Sequence, residues 1–193
     1  MKKVVVSILI LGVVLAVALI GAIALFTDQE ENPDNAFTTG TVDLAIVPAT
    51  AMFTVLNMAP GDVTYKGIEL TNSGSLELRY AMTTTVGGNN ITLAEELDLT
   101  IDVVTGIGVD NTWYTADDVV GEANIYGPDG ALSSAFIGNP APGNQTGHRI
   151  LIADGNERLR FKVTLPLSTE DEFQDTTCTV DFVFDAEQTV NNP

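Results

Sequence analysis

Alternation of apolar and polar side chains constrains the fold of this chain more than any other feature. Several segments repeat with a period of two, as strands with one buried face do. After residue 26, no segment shows apolar residues at i, i+3, i+4 and i+7 over three helical turns. Turn-forming residues separate the alternating segments, which predicts an all-β fold, an antiparallel β-sandwich. The predicted strands cover residues 41–47, 51–57, 63–70, 76–86, 97–103, 159–167 and 178–185.

Two of these strands flank a tight-turn sequence at residues 72–75 (NSGS). Residues 63–70 and 76–86 are therefore expected to pair as a hairpin. Within the first strand the apolar positions change parity, which predicts a β-bulge at Lys66-Gly67.

The amino terminus has the layout of a secretory signal. Two lysines precede residues 4–26, which carry no charge, and Ala22 and Ala24 supply the small residues that a signal peptidase requires. Residues 1–24 are thus a predicted signal peptide, and cleavage would leave Leu25 as the first residue. The alternative is a retained membrane helix, because about 20 apolar residues can span a bilayer.

The remaining chain divides into two predicted parts. Residues 25–40 are polar and unpatterned, as in a flexible segment, and residues 41–190 form a single β-sandwich domain. Residues 106–147 are rich in Gly, Asn, Asp and Pro and form a predicted insertion, since so long a plain connection is uncommon. Insertions of this kind often carry function.

Composition excludes several classes of function. The chain has 26 acidic and 8 basic residues, a net charge of −18, so nucleic-acid binding is not expected. His148 is the single histidine, no G-x-S-x-G sequence is present, and a zinc peptidase needs a histidine pair. We therefore expect no catalytic residues and no enzyme activity.

Cys178 is the single cysteine, which excludes an intrachain disulfide and suits a small buried apolar side chain.

Oxygen-bearing side chains crowd one part of the insertion. Asp110, Asn111, Asp117 and Asp118 are the ligand types that Ca²⁺ prefers, and they predict a calcium site. The alternative is a polar hairpin tip that Trp113 anchors. No other cofactor is expected.

Two sequons for N-glycosylation occur in predicted loops, at Asn90 and Asn144. They have meaning only in a host that glycosylates exported proteins.

Five short blocks together resemble a known family. In order and spacing they are similar to the TasA/camelysin-type surface proteins, and residues 24–28 (ALFTD) resemble the signal type that this family's dedicated peptidase cuts. The blocks are residues 36–44 (AFTTGTVDL), 58–62 (MAPGD), 70–76 (LTNSGSL), 165–167 (LPL) and 180–188 (VDFVFDAEQ).

The resemblance implies a jelly-roll-like sandwich that polymerises with itself into extracellular fibres of a biofilm matrix. In such fibres the amino-terminal segment of one subunit completes a sheet of the next, and here this segment would include Leu25, Phe26 and Phe37. Contact with a membrane is expected only through the uncleaved amino terminus. Some relatives carry a metallopeptidase label, which this sequence does not support because it has one histidine.

Two other functions remain open from the sequence. One is a secreted or membrane-anchored surface binding module that depends on calcium. The other is a pilin-like subunit, although pilins of that kind usually carry a Glu soon after the processing site and this chain has no acid before Asp28. All three readings place the domain outside the cell.

Overall fold

The alternating apolar positions form the inner faces of two antiparallel sheets in the computed structural model, which describes residues 39–50, 53, 58–87 and 91–190. This confirms the predicted all-β sandwich. The strands are β1 (Leu44–Val47), β2 (Val63–Asn72), β3 (Leu78–Gly87), β4 (Asp98–Gly106), β5 (Val119–Ala131), β6 (Phe136–Ile137), β7 (Arg149–Leu151), β8 (Asn156–Thr164) and β9 (Thr179–Gln188), with one short helix, α1 (Ile91–Glu96), and 3-10 turns at Leu132–Ser134 and Asp171–Phe173.

The larger sheet has five strands in the order β1-β2-β8-β4-β5. In the four-stranded sheet, β3 is central: Leu78 pairs with Leu151 of β7 on one side and with Gln188 of β9 on the other. The short β6 lies on the same side of β3 as β7.

A continuous apolar core fills the space between the sheets. Its fully buried side chains come from four strands, and each follows the period of two that the sequence shows. They include Leu70, Leu78, Tyr80, Met82, Leu99, Ile101, Leu159 and Phe161.

The predicted hairpin of residues 63–70 and 76–86 is wrong. Strand β2 pairs with β1 and β8 in the larger sheet, whereas β3 belongs to the other sheet. The buried side chain of Asn72 explains the crossing, because its amide nitrogen donates to the carbonyls of Leu76 (2.8 Å) and Leu151 (3.1 Å). Leu151 belongs to β7 of the smaller sheet, so these bonds join the end of β2 in one sheet to the turn and to the neighbour of β3 in the other.

The predicted bulge at Lys66-Gly67 is also wrong. Strand β2 pairs with β8 from Val63 to Thr71 without a register shift. Tyr65 faces outward instead, where the guanidinium of Arg160 lies 5.5 Å from its ring centroid. The change in parity marks aromatic packing on the outer face.

Residues 106–147 contribute β5 and β6 to the two sheets. No helix in the described part of the chain is long and apolar enough to cross a membrane. The predicted signal peptide with Ala22 and Ala24, the assembly residues Leu25, Phe26 and Phe37, and the sequon at Asn90 lie outside the described residues.

Candidate assembly interface

Strand β9 forms one edge of the four-stranded sheet. It pairs with β3 along all ten residues, and among the described strands it has no second partner. Its outward residues Thr179, Asp181, Val183 and Asp185 are exposed. The inward side chains of Val180, Phe182 and Phe184 are half-buried and contact the core. An edge of this length offers a row of main-chain donors and acceptors to another strand.

Aromatic contacts show how the two sheets overlap. The rings of Phe161 in β8 and Phe182 in β9 have centroids 4.9 Å apart, and Tyr126 in β5 contacts Phe136 in β6 at 6.0 Å. Strand β9 therefore lies opposite β8, and β6 lies opposite β5. Because β2 and β1 continue the larger sheet beyond β8, no described strand of the smaller sheet lies opposite β1.

The side chains on this open side are incompletely covered. Leu44 and Ile46 of β1 contact the core but remain half-buried, as do Val180, Phe182 and Phe184 of β9. The free edge of β9 thus carries half-buried apolar side chains that a further strand could cover. We call it the edge groove.

The opposite edge of the molecule is built differently. The pairing of β5 with β4 shifts register at four places, and Asn124 and Asp129 in β5 have positive φ angles of 54° and 55°. Pro128 in the same strand has no N–H to donate. Bulges and proline on an edge strand prevent the addition of another strand, so β5 is protected where β9 is not.

The described chain begins at Thr39, next to the turn between β2 and β3. Thr41 exchanges hydrogen bonds with this turn: its N–H donates to Ser75 Oγ (3.0 Å), and its carbonyl accepts from the Leu76 N–H (3.2 Å). The N–H of Thr189, which follows β9, donates to the carbonyl of Glu77 (3.2 Å). Thr41 therefore lies at the end of the sandwich where β9 ends.

The carboxylates predicted to bind calcium bind backbone N–H groups of their own loop. Asp117 Oδ2 accepts from Val109 (2.7 Å) and Asp110 (3.3 Å), and Asp118 Oδ2 accepts from Tyr114 (2.7 Å) and Thr115 (3.0 Å).

The Asp110 carboxylate is used in the same way, since its Oδ1 accepts from the Thr112 N–H (2.9 Å). Asn111 lies at the exposed tip of this loop with φ 55°. The described residues contain no cluster of three or more His, Cys, Asp or Glu side chains that suits a metal ion. Calcium binding at this loop stays a prediction.

The same loop packs on the outer face of the larger sheet. Arg158 lies over the Trp113 ring at 4.5 Å, and Gly67 is buried under the Tyr114 ring, which a Cβ at Gly67 would overlap. Burial, helped by the nearby Glu69 carboxylate, raises the pKa of Tyr114 to about 12. Trp113 thus anchors the loop. Its partner Arg158 was not predicted, because the two residues are about 45 positions apart in the sequence and a strand pattern does not show which loop packs on its outer face.

A second ordered loop, residues 139–148, holds the single histidine. His148 Nδ1 accepts from the Gln145 N–H (3.4 Å), and its Nε2 lies against the carbonyl oxygen of Asn139, so both ring nitrogens have partners. Asn144 is exposed in this loop, as a glycosylation site requires. Cys178 is half-buried against the core, and burial raises the pKa of its thiol.

Comparison with known proteins identifies the family. The chain matches the camelysin metallo-endopeptidase family over residues 1–192. The chain belongs to this family. The resemblance to TasA/camelysin-type proteins is therefore confirmed, and with it membership of a family of secreted or cell-surface proteins. No curated protein matches this chain.

A solved structure gives a weaker similarity. It is described as AvmM, which catalyses macrocyclization in alchivemycin A biosynthesis, and it is 11% identical with a TM-score of 0.38. The match covers 79% of this chain and 77% of that chain. At this level of similarity it carries no functional inference.

The family name implies a catalytic metal, and the donor set of this camelysin-family chain does not fit one. Catalytic zinc sites take three protein ligands, mostly histidines with a cysteine or carboxylate. The whole sequence has one histidine and one cysteine, and both nitrogens of His148 already have partners in its loop.

Proposed function

We propose that this chain is a secreted structural subunit that polymerises into extracellular filaments by strand complementation, without catalysis. Membership of the camelysin family supports a secreted structural or biofilm-related protein. The observation that carries the finer proposal is the edge groove, where β9 has no second partner among the described strands and apolar side chains of both sheets remain half-buried.

A donated strand would gain free energy in two ways at this groove. It would pair with the free main-chain groups of β9, as in other strand additions. It would also complete the burial of Val180, Phe182 and Phe184. Full burial of such a side chain contributes about 1.5–3 kcal/mol, and about a third or less of each remains exposed, so completing all three contributes at most roughly 3 kcal/mol.

The amino-terminal segment is the donor that we propose. It contains the apolar residues Leu25, Phe26 and Phe37 among polar ones. At about 3.3 Å per residue, residues 25–38 extend to roughly 45 Å, more than the roughly 33 Å length of a ten-residue strand such as β9. The segment is therefore long enough to pair with the whole edge of a neighbouring subunit.

A pair of substitutions in β9 tests the groove. Val180 faces inward and Val183 outward in the same strand, so Val180→Lys places a charge in the groove while Val183→Lys leaves it unchanged. In the mature chain that starts at Leu25, we expect Val180→Lys to prevent filament formation in electron micrographs and Val183→Lys to allow it. Thermal unfolding of both variants checks that the domain folds. Filaments of normal length from a folded Val180→Lys variant would contradict the proposal, as would filaments from a chain without residues 25–35.

Two further measurements address the other parts of the proposal. The intact mass of the native protein shows whether residues 1–24 are removed, and a retained segment without filaments would favour the membrane-anchored binding module. Incubation of the mature chain with zinc and an unfolded protein substrate tests for peptidase activity. Cleavage that a chelator abolishes would refute a purely structural role.

A further inference from the structure

Two exposed hydroxyl residues connect the root of the amino-terminal segment to a turn more than thirty residues away. The N–H of Thr41 donates to Ser75 Oγ (3.0 Å), and the N–H of Ser75 donates to Thr41 Oγ1 (3.3 Å). The main chain adds two bonds, from Leu76 N to the Thr41 carbonyl (3.2 Å) and from Ser73 N to the Asp43 carbonyl (2.8 Å). We call this set of four hydrogen bonds the root clasp.

Two glycines allow the strands of the root clasp to approach closely. A Cβ at Gly40 would overlap the side chain of Leu76, and a Cβ at Gly74 would overlap the backbone carbonyl of Thr41. The Gly74 N–H is itself held by the buried Asn72 Oδ1 (3.0 Å). Asn72 therefore holds the turn through its side-chain hydrogen bond, and the turn holds Thr41 through the root clasp.

We propose that Thr41 and Ser75 are positioning residues for assembly, which hold the chain at the base of the donor segment in one conformation. This inference rests on the proposed function. The physical reason is preorganisation: a donor whose root is already ordered loses less conformational freedom when its strand is captured by a neighbour. The two side chains are exposed and bury no apolar surface, so their hydrogen bonds order the chain at Thr41 rather than stabilise the core.

The experiment separates the donor role from the acceptor role. The acceptor is a chain that begins at Thr39 and so has no donor segment. The donor is the mature chain from Leu25, held below the concentration at which it assembles with itself. The donor variant is Thr41→Val with Ser75→Ala, which removes both hydroxyls and keeps the side-chain shapes. Ser73→Ala is the matched control, because the Ser73 hydroxyl has no hydrogen-bond partner in the described part of the chain.

We expect the double variant to bind the acceptor about tenfold more weakly than the Ser73→Ala control, a factor that corresponds to about 1.4 kcal/mol. A free peptide of residues 25–40 should bind an acceptor that carries the two substitutions with unchanged affinity. A defect that is only structural would weaken both roles, whereas a positioning defect weakens the donor role alone.

The outcomes distinguish this inference from the proposed function. Equal donor affinity of the double variant and the Ser73→Ala control, with normal peptide binding, overturns only the role of the root clasp. Equal weakening of the donor and acceptor roles also overturns it. If the peptide of residues 25–40 does not bind the unsubstituted acceptor at all, strand complementation itself fails.

Discussion

Removal of Asp102 tests whether the 107–118 loop is held by a buried ion pair. Asp102 Oδ2 accepts from Arg160 Nη2 at 2.8 Å, and the two side chains are 9% and 8% exposed. Asp102 Oδ1 also accepts from the Asn124 N–H (2.9 Å), and Arg160 Nη1 donates to the Thr115 carbonyl (2.7 Å). The pair therefore connects β4, β5, β8 and the loop.

The expected loss of stability is large because Arg160 would stay buried without its counter-ion. Its Nε already has no hydrogen-bond partner in the described part of the protein, as is also true of the buried Asp118 Oδ1. Removing one partner of a buried pair costs about 3–5 kcal/mol, out of a typical total of about 5–15 kcal/mol. We expect Asp102→Ala to lower the free energy of unfolding by this amount, and Asp102→Leu with Arg160→Met to restore most of it.

A second ion pair on the same outer face is the control. Glu69 and Arg158 lie 2.7 Å apart, but their side chains are 30% and 29% exposed. Solvent screens such a pair, so Glu69→Ala should cost about 1 kcal/mol or less. The free energy of unfolding of each variant is measured by urea unfolding of the chain that begins at Thr39, monitored by tryptophan fluorescence. Trp113 is the single tryptophan and lies in this loop. Equal losses for Asp102→Ala and Glu69→Ala would refute the reasoning.

Three further predictions concern the same loop. Gly67→Ala should lower the free energy of unfolding by about 1–3 kcal/mol, because the added Cβ meets the Tyr114 ring, and Tyr114→Ala should remove most of that penalty in a double-mutant cycle. The pKa of Asp117 lies below its usual range, mainly because its carboxylate accepts a hydrogen bond from the Thr115 hydroxyl and, to a smaller extent, from backbone N–H groups. The Asp117 carboxylate therefore stabilises the loop fully above about pH 4, and this stabilisation is lost as the pH falls through its lowered pKa in the folded protein. NMR titration of the Val109 amide should accordingly show a midpoint below the usual value for Asp. Calcium binding at the predicted site should raise the melting temperature of the wild type and not of Asp117→Asn; equal shifts would remove the site from consideration.

Local patterns were enough to predict the family and six of the described strands, because each depends on residues close together in the sequence. They did not predict β5, β6 and β7, whose sequences are rich in turn residues or very short, and the predicted strand at residues 51–57 lies almost wholly outside the described residues. The blocks of the resemblance also meet in space. Residues 39–44 and 70–76 come together in the root clasp. The Gly61 N–H donates to the Leu165 carbonyl (2.7 Å) and joins residues 58–62 to the end of β8. These four blocks thus lie where turns are held against each other.

The pairing of strands was not predictable by the same means. A turn of four small polar residues favours a hairpin, and only the buried Asn72 reveals that this one crosses between sheets. The contacts of Trp113 and Tyr114 with Arg158 and Gly67 join residues far apart in the sequence, and a period of two cannot show which outer face a loop will cover.

The charge of the protein gives a last test of how subunits meet. In the proposed assembly the donor segment and the edge groove are different surfaces, so the contact would be head-to-tail and would extend into an unbranched filament. The inward side chains along this edge, Val180, Phe182 and Phe184, carry no charge, whereas the whole chain has a net charge of −18. Repulsion between subunits therefore opposes assembly while the contact itself does not depend on ion pairs. Because the Debye length falls from about 30 Å at 0.01 M salt to about 8 Å at 0.15 M, elongation of preformed seeds should become faster over this range. Slower elongation at higher salt would show that charged pairs, and not an apolar strand, hold the subunits together.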